Sequence, residues 1–573
     1  APNSDVHPLL LTSQSDAAKV RYPGETAVYR SNNSQHGMQL LTMPENDVKT
    51  IIQLFQHGLN EGNDCLGFRD ANGTYTWQSY RKYLDVKIFE LISYTKSVRI
   101  IFLIQIQSGQ IFERITNFGS GLIKFTGLTP KSQEKFGIFM KNCPEWVIAD
   151  LAACHYSLIT VALPSIHPRV NDVINQINLT EISAIVASKD TLSVVFSAAP
   201  SCRALKYVIM TESSLSKDQN EKAETLGLTL TTFKDIEKLG STSKLECVAA
   251  APEDTATIVF TSGTTSGGPK GVELKHSVNF SSFIFIALKR ANITFTYSIC
   301  ICLLIERRSK SGILSAIHTT QKIKPSDRHL SYLPLAYMFE RITVMVLLFS
   351  GASIAFYSGN ISTILQDAEE VKPTIFARYI VRQFDFYKIS LENKWFFKRG
   401  FNYKYKYLKK GNLVTNSIWD ILVFNQVKAK FGGKVRVIVT GSGPITQTIL
   451  DFFRITVGCQ VIQAYGLTQC SGSVTMNAFY DYYSIDQNGH DSQTGGPLAC
   501  NEIKLINYEE RGYTVEDVPN PRGEICVRGP NVMKGYYNLP DETSRVIDSD
   551  GWFHTGDIGM ILPNGTLKII DQK

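Results

Sequence analysis

The chain has 573 residues, of which 43% are hydrophobic and 19% are charged. This composition is typical of a globular enzyme and argues against global disorder, and the length allows several modules or one large composite domain. The net charge of +7 is modest and fits an anionic small substrate or a membrane surface, without indicating nucleic-acid binding. Eleven scattered cysteines without a C-x-x-C pair predict reduced thiols in a cytosolic setting.

The first 65 residues are predicted to form an N-terminal extension with a first helix. No apolar run in the chain reaches the ~20 residues that a membrane-spanning helix needs. The polar opening, which starts at Ala1, has no apolar stretch of the kind found in signal peptides. We therefore expect any N-terminal membrane anchor to lie outside this sequence.

From about residue 135 onward, short apolar runs alternate with helical patterns. Strands are predicted at 136–140, 159–163, 182–187, 205–210, 257–260, 352–357, 435–440 and 460–463, with helices at 145–155 and 170–177. Near-continuous apolar strands separated by helices indicate a parallel sheet covered on both faces. Residues 66–494 are therefore predicted to form an α/β domain, in which ligands bind beyond the carboxyl ends of the strands.

The pattern changes after about Gly495, where short strands alternate with tight turns at Arg522-Gly523 and Asn564-Gly565. Residues 495–565 are predicted to be a β-rich, barrel-like subdomain of the same domain, and residues 566–573 to begin a hinge. Two apolar segments without a clear period, at about 87–112 and 297–314, are predicted to be irregular insertions.

The segment with the most specific chemistry is residues 261–271, T-S-G-T-T-S-G-G-P-K-G, which follows an apolar strand directly. Glycines let backbone N–H groups surround an anion, hydroxyls add donors, and Lys270 supplies a positive charge. A mere linker seldom follows a buried strand, and the lack of G-K-[ST] argues against a Walker-type loop. The segment therefore predicts a polyphosphate-binding loop, and we expect the chain to handle a nucleoside triphosphate.

Three further turns rich in glycine or hydrogen-bonding groups follow in the chain. They are Gly441-Ser442-Gly443-Pro444, Ala464-Tyr465-Gly466-Leu467-Thr468-Gln469 and Gly551-Trp552-Phe553-His554-Thr555-Gly556-Asp557. Alone, Tyr465 would be typical of a core aromatic residue, Asp557 of a turn residue, and the glycines at 441–443 of a helix start. Four such segments in this order indicate one composite nucleotide site.

These motifs resemble those of the adenylate-forming superfamily, and within it the eukaryotic long-chain fatty acid–CoA ligases. The resemblance extends from about Gly67 to Lys573. Four further segments carry it: 142–151, 331–341 (S-Y-L-P-L-A-Y-M-F-E-R), 428–444 and 523–543, which contains G-E-I-C-V-R-G-P-N-V-M-K-G-Y-Y-N. The resemblance implies the large N-terminal domain of that family, with parallel sheets covered by helices, while the family's small C-terminal domain is absent from this sequence.

The resemblance also implies a two-step reaction. A long-chain fatty carboxylate attacks the α-phosphorus of ATP to give an acyl-adenylate and diphosphate, and the thiol of coenzyme A then displaces AMP. The first step joins two anions, so cationic and N–H donors must neutralise the charge that grows on the leaving diphosphate. The implied cofactors and co-substrates are ATP, Mg²⁺ bridging the phosphate oxygens, and coenzyme A.

The resemblance assigns roles to individual residues. Lys270, Thr264 and Thr468 are the implied catalytic residues, Tyr465 is expected to stack on adenine, and Asp557 is expected to accept from the ribose hydroxyls. The full implied nucleotide site is Thr261, Ser262, Gly263, Thr264, Thr265, Ser266, Gly267, Gly268, Lys270, Gly441, Ser442, Gly443, Ala464, Tyr465, Gly466, Leu467, Thr468 and Asp557.

Several positions depart from the family pattern. Gln469 stands at the position of a glutamate that binds Mg²⁺, and a neutral amide is a much poorer metal ligand. The phosphate loop is one residue longer than usual, Tyr337 replaces a histidine, and the hinge motif reads Asp571-Gln572-Lys573 instead of Asp-Arg-Lys. Two rival hypotheses therefore stay open. One is a homologue that only binds ATP or acyl-adenylate, and the other is an incomplete or mis-joined version of an ordinary ligase.

Residues 394–410, K-W-F-F-K-R-G-F-N-Y-K-Y-K-Y-L-K-K, interleave aromatic and basic side chains. Three interpretations stay open: a solvated helix with its aromatic residues turned inward, contact with an anionic membrane, or stacking on nucleic-acid bases. Membrane contact fits a lipid substrate. We expect peripheral membrane contact without a nucleic-acid partner, at the cytosolic face of the endoplasmic reticulum or the mitochondrial outer membrane.

Overall fold

The structure is a computed structural model that describes residues 15–18, 22–31, 40, 50–59, 64–70, 73–80, 110–261, 268–277, 323–378, 394–441, 443, 445–478 and 493–573. The strands within them are β1 Ser15–Ala17, β2 Tyr29–Ser31, β3 Asp64–Arg69, β4 Tyr75–Ser79, β5 Lys135–Phe139, β6 Ile159–Ala162, β7 Ala184–Ala187, β8 Tyr207–Met210, β9 Thr229–Thr232, β10 Thr255–Phe260, β11 Gly271–Lys275, β12 Arg328–Ser331, β13 Ser353–Phe356, β14 Ile375–Arg378, β15 Val437–Thr440, β16 Gln460–Tyr465, β17 Thr475–Met476, β18 Gly496–Pro497, β19 Glu502–Ile506, β20 Arg522–Arg528, β21 Gly535–Tyr536, β22 Phe553–Ile561 and β23 Leu567–Gln572.

The helices of the same residues are α1 Ile51–Leu59, α2 Gln110–Thr126, α3 Pro144–His155, α4 Val170–Thr180, α5 Lys189–Ala198, α6 Lys217–Thr225, α7 Phe233–Thr242, α8 Met338–Phe349, α9 Ile364–Val371, α10 Lys394–Leu408, α11 Asn425–Lys430, α12 Gln447–Thr456 and α13 Pro540–Val546. None of them has the length and apolar character needed to cross a bilayer. Residues 110–112, the end of one predicted insertion, belong to α2. The rest of that segment and residues 297–314 lie outside the described residues.

The first sheet has eight strands in the order β21-β11-β10-β6-β5-β7-β8-β9. The ladder from β10 through β6, β5, β7 and β8 to β9 is parallel, whereas β11 and β21 join antiparallel at one edge. Except for β9 at the edge, the parallel strands are short and fully or largely buried, which is why β5, β6, β7 and β10 read as continuous apolar runs. The predicted strands that match β5 to β8 and β10 are thus confirmed, with ends shifted by one or two residues.

The second sheet has nine strands in the order β18-β17-β16-β15-β14-β12-β13-β3-β4. Its central strands, from β3 to β16, are parallel, and antiparallel strands close both edges. Thr440 at the end of β15 pairs with Gln463 near the end of β16. The turns that follow these two strands therefore leave the sheet side by side.

The third sheet is antiparallel, in the order β1-β2-β19-β20-β22-β23. Its two edge strands approach each other, because Ser15 Oγ in β1 donates to Gly565 O, just before β23, at 2.6 Å. This curvature agrees with the predicted barrel-like shape. The sheet also contains two strands of the N-terminal extension, held in part by an ion pair between Arg30 and Glu502 with Nε–Oε1 2.7 Å, which the sequence pattern did not reveal.

Two predicted turns in this region differ in the structure. The prediction of a turn at Arg522-Gly523 is wrong, since both residues lie in β20, opposite Met560 and Gly559. A Cβ on Gly523 would lie 2.2 Å from Ile506 O, so this glycine permits close strand packing rather than a reversal. Of the predicted turn at 551–557, residues 553–557 belong to β22. The turn at Asn564-Gly565 is confirmed, with Gly565 N–H donating to Leu562 O at 2.8 Å.

One buried core joins the first and second sheets through α3 and α8. Apart from Glu145, every residue of α3 is buried, and α8 is buried along most of its length. A helix that is apolar on all sides is stable only inside a core. These two helices therefore fix the position of one sheet against the other.

Candidate active site

The phosphate loop connects two antiparallel strands of the first sheet. Phe260 in β10 lies opposite Gly271 in β11, so the loop leaves and re-enters the sheet at one point. Its ends are joined by two bonds: Thr261 N–H donates to Lys270 O at 3.0 Å, and Lys270 N–H donates to Thr261 Oγ1 at 3.2 Å. Gly268 precedes this closure, with φ +81°. The remaining predicted loop residues lie outside the described ones: Ser262, Gly263, Thr264, Thr265, Ser266 and Gly267.

Lys270 is a partly buried cation that pairs with the carboxylate of Glu542. Its Nζ lies 2.5 Å from Glu542 Oε2 on α13 and 5.2 Å from the centroid of the Tyr536 ring. The hydrogen bond from Lys270 lowers the pKa of Glu542. A polyphosphate entering the loop would compete with this carboxylate for the lysine.

Tyr536 connects Lys270 to the turn that follows β16. It lies in β21, opposite Val272 of β11, and its hydroxyl accepts from Gln469 Nε2 at 3.0 Å. The backbone repeats the connection, since Met533 N–H donates to Gln469 O at 2.7 Å. The residue at the family's metal position and the lysine of the phosphate loop thus contact the same tyrosine.

Tyr465, the last residue of β16, contacts the third sheet. Its hydroxyl donates to Asp557 Oδ2 in β22 at 2.6 Å. The chain then turns sharply at Gly466, where a Cβ would lie 1.9 Å from Gly472 O, so only glycine fits. Thr468 begins the short 3-10 turn that follows. The three predicted residues Tyr465, Thr468 and Asp557 are therefore arranged around one strand end.

Burial controls the protonation of the pair formed by Tyr465 and Asp557. Burial, together with the negative charge of Asp557, raises the pKa of Tyr465 well above its usual value. Burial also raises the pKa of Asp557, although the hydrogen bond from Tyr465 opposes this effect. Tyr465 consequently remains a neutral hydroxyl donor, and Asp557 is a buried acceptor that already receives hydrogen bonds from Tyr465 and Gln572.

The turn after β15 lies against the turn after β16. A Cβ on Gly441 would lie 3.0 Å from Ala464 O and 3.2 Å from the Phe339 ring, whereas Gly443 has open space around it. Ser442, between them, lies outside the described residues. The described glycines of this turn leave room next to the strand that carries Tyr465.

Glu524 positions the residue before Asp557. Gly556 N–H donates to Glu524 Oε1 at 3.1 Å, and Lys573 Nζ lies 2.6 Å from Oε2. His554 joins this group, and hydrogen bonds with Cys526 and Glu524 raise the pKa of His554 to about 10.

The same group could be considered as a metal site. Ligand atoms of Glu524, Cys526 and His554 all lie within 4.8 Å of one another. However, Lys573 already pairs with Glu524, and His554 Nε2 lies 3.4 Å from Asp548 Oδ2. Two cationic side chains therefore already balance the carboxylates, and we interpret the cluster as an ion-pair network that holds β20 against β22.

Residues from three separate segments thus form one connected set: Lys270, Gln469, Tyr465 and Asp557. Sequence reasoning did not assign roles to three residues that connect or position them, Tyr536, Glu542 and Glu524. All three lie in segment 523–543, which resembles the family over its whole length. Nothing in the sequence distinguishes these side chains from their neighbours.

A family model described as AMP-binding enzyme matches residues 105–537. Long-chain-fatty-acid–CoA ligase 6 of Rattus norvegicus is 34% identical over 545 residues, which cover 93% of this chain and 68% of the relative. Long-chain-fatty-acid–CoA ligase 1 of Homo sapiens is 33% identical over 538 residues, covering 92% of this chain and 67% of the relative. The chain belongs to the long-chain fatty acid–CoA ligases of the AMP-binding enzyme family.

Solved structures share the fold of this ligase. The adenylation domain of a carboxylate reductase from Mycobacterium chelonae superposes with a TM-score of 0.63 at 18% identity, covering 93% of this chain and 74% of that one. The A domain of carboxylic acid reductase from Segniliparus rugosus, solved with AMP and a carboxylic acid, also has a TM-score of 0.63, at 17% identity, with 93% and 76% covered. The predicted α/β adenylate-forming fold is confirmed.

Two of the ligase motifs meet behind the phosphate loop. Arg341 of α8 forms a buried ion pair with Asp150 of α3 and donates to Thr257 Oγ1 of β10 at 2.8 Å. Asn142, in the other motif, donates to Leu333 O at 2.6 Å and accepts from Leu335 N–H at 2.9 Å. The motifs therefore support the strand that leads into the phosphate loop.

Proposed function

We propose that this chain activates long-chain fatty acids with ATP and transfers the acyl group to coenzyme A. Family membership supports the reaction type, and the relatives' names supply the substrate class. The observation that carries the proposal is the connected set of Lys270, Gln469, Tyr465 and Asp557, because contacts of these side chains join three segments that are remote in the sequence.

The proposed roles follow from the charges of the reactants. Lys270 exchanges its contact with Glu542 for the phosphates and offsets the charge that develops on the leaving diphosphate. Thr264 and Thr468 supply hydroxyl donors to the phosphates. Asp557 accepts from the ribose hydroxyls, and the ring of Tyr465, fixed by its bond to Asp557, offers a surface for the adenine. The remaining predicted loop residues surround the phosphates with backbone N–H groups.

Mg²⁺ fits this site, but Gln469 makes its binding weaker than a glutamate would. Gln469 donates through Nε2 to Tyr536, which leaves its carbonyl oxygen Oε1 as the ligand atom. An amide oxygen is neutral, so the nucleotide phosphates must supply most of the metal's ligands. When bound with ATP, the ion supplies neutralisation of the phosphate charge.

The test is diphosphate–ATP exchange by the native protein, with fatty acids of graded chain length. We expect exchange that requires a long-chain acid and that falls by more than about 100-fold in Lys270→Ala, since a lost charge contact in the transition state costs about 3 kcal/mol. Lys275→Ala, at the far end of β11, is the matched control and should retain exchange. The absence of exchange at every chain length would refute the proposal.

A second candidate is a protein that binds ATP or acyl-adenylate without turnover. Gln469 favours it, because the site lacks one negative charge at the metal position. Calorimetry that detects ATP binding, combined with no exchange even after Gln469→Glu, would favour this candidate over the ligase.

We also propose peripheral contact with an intracellular membrane, at the cytosolic face of the endoplasmic reticulum or the mitochondrial outer membrane. Long-chain fatty acids partition into bilayers, and contact with a bilayer brings the enzyme to its substrate. Fractionation of cells that express the native protein tests the location. Recovery in the soluble fraction at low salt would contradict it.

A further inference from the structure

We propose that helix α10 and the adjoining residues 418–424, which include the π-helical turn Asp420–Phe424, form a docking surface for anionic lipid bilayers. This surface, called the aromatic–basic face below, deepens the membrane contact proposed above, and its test does not depend on catalysis. Half of the exposed large apolar side chains among the described residues belong to it: Trp395, Phe396, Tyr403, Ile418, Ile421 and Leu422.

The inner side of α10 is firmly attached to the protein. Gly400, Lys404 and Leu408 are buried, and a Cβ on Gly400 would lie 3.1 Å from Trp419. Lys404 Nζ lies 2.8 Å from Asp420 Oδ1. The helix is thus anchored through residues spaced four apart, and the orientation of its other side is determined.

The outer side of α10 presents aromatic side chains to solvent. Trp395 is 58% exposed, and Phe396 and Tyr403 are also exposed. Arg399 stacks over the Trp395 ring, with 4.2 Å between its Cζ and the ring centroid. Positions 395, 399, 403 and 406 follow the helical repeat, so they lie on one side. Aromatic rings with adjacent cations are typical of helices that lie at a membrane interface.

The turn that packs against the inner side of α10 exposes aliphatic side chains of its own. Ile418 is 66% exposed and Ile421 is 76% exposed, and Leu422 is exposed beside them. This turn packs on α10, since the rings of Phe397 and Phe424 lie 5.5 Å apart. Clustered exposed apolar side chains mark interaction sites on soluble proteins.

Charge identifies the partner. Residues 394–434 contain ten lysines and arginines and one acidic residue, so their excess of nine positive charges exceeds the +7 of the whole chain. The one acid, Asp420, is buried between Lys404 and Lys428. In the described part of the chain, no ion pair with an acidic residue involves Lys398, Arg399, Lys406 or Lys410. A surface that is apolar and strongly cationic matches a bilayer that carries anionic headgroups.

The experiment measures binding of the native protein to vesicles, without ATP or fatty acid. We expect sedimentation with vesicles of phosphatidylcholine and phosphatidylserine, and much weaker sedimentation with phosphatidylcholine alone. Ile421→Ser with Leu422→Ser, and separately Lys406→Glu with Lys410→Glu, should each weaken binding by roughly tenfold or more. The midpoint of urea denaturation should stay at the parent value in both variants, which shows that they fold.

Matched controls sit on other surfaces. Ile166→Ser with Val518→Ser removes two exposed aliphatic residues, and Lys234→Glu with Lys238→Glu reverses two exposed lysines spaced four apart on α7. Both pairs should retain binding within about twofold, since neither lies on the aromatic–basic face. Equal weakening by the controls would overturn the proposal, because binding would then reflect general charge or hydrophobicity.

Fluorescence locates the contact directly. Brominated lipids quench tryptophan that enters the acyl region, so we expect quenching in the parent that is largely lost in Trp395→Phe. Unchanged quenching in that variant would overturn the proposal. The proposal would also be overturned if single-stranded DNA bound the protein as tightly as the vesicles do and if the same variants weakened that binding. A fall in molar mass in Ile421→Ser with Leu422→Ser, with vesicle binding retained, would instead assign the face to a second copy of the chain.

Discussion

Gln469 combines a structural and a chemical role in one side chain. Its backbone oxygen and its amide nitrogen both bond to the segment that carries Tyr536, so the side chain helps to hold β21 near the phosphate loop. A glutamate could keep part of this arrangement, because a carboxylate accepts a hydrogen bond from the tyrosine hydroxyl. The amide therefore changes the charge of the site more than its shape.

We predict that Gln469→Glu lowers the Mg²⁺ concentration needed for half-maximal exchange by about tenfold, since a charged ligand adds about 1–2 kcal/mol over a neutral one. Titration of Mg²⁺ at saturating ATP checks this. Gln469→Ala is the control and should not show the gain. If the glutamate variant has the same Mg²⁺ requirement as the parent, the metal does not bind at this position.

At the scale of elements, the joint between α3 and α8 is a buried ion pair inside an apolar core. Asp150 is fully buried and Arg341 nearly so, and Thr160 Oγ1 donates to Asp150 Oδ1 at 2.9 Å. Removing one partner of such a pair leaves an uncompensated charge in a medium of low polarity. The pair consequently fixes how the helices meet.

We predict that Asp150→Ala lowers the free energy of unfolding by about 3–5 kcal/mol, measured by urea denaturation. The control is Glu221→Ala, which breaks the exposed pair between Lys217 and Glu221 on α6 and should cost less than about 0.5 kcal/mol. Replacing both buried partners, with Asp150→Leu and Arg341→Met, should restore part of the loss. Equal effects at the buried and the exposed pair would contradict the role assigned to this joint.

At the scale of the molecule, two buried histidines make stability depend on pH. Burial lowers the pKa of both His155 and His276 to about 4. Among the described residues, neither ring nitrogen of His276 has a hydrogen-bond partner. The folded state therefore binds these protons less readily than the unfolded state, whose histidines have a pKa near 6.5. The resulting loss of stability is absent above about pH 6.5 and grows as the pH falls toward 4.

We predict that each histidine contributes a loss of about 2 kcal/mol in the free energy of unfolding between pH 7 and pH 5. The free energy of unfolding of His276→Phe, measured by urea denaturation at both pH values, should fall by about 2 kcal/mol less than that of the parent. His167→Gln, at an exposed position, is the control and should keep the parent's loss. A variant at His276 with the parent's full loss would refute the assignment.

Predictability differs between the parts of the molecule. The parallel strands were predictable because burial on both faces gives continuous apolar runs, as in β6 and β7. Lys270, Tyr465 and Asp557 were recognisable because they lie in segments of unusual composition. Strands β1 and β2 have three residues each, too few for any period, and β2 pairs with β19, far away along the chain. The positions of Tyr536 and Glu542 depend on such long-range pairing, which no local pattern encodes.

The pairing of β2 with β19 has a consequence for biosynthesis. Arg30 and Glu502 are 472 residues apart. At ~5–20 residues per second, the ribosome needs roughly half a minute to a minute and a half to make the intervening chain. During that time β2 cannot meet its partner. The sheet that carries Asp557 can therefore assemble only after β19 has been made, well after the segments that supply Lys270.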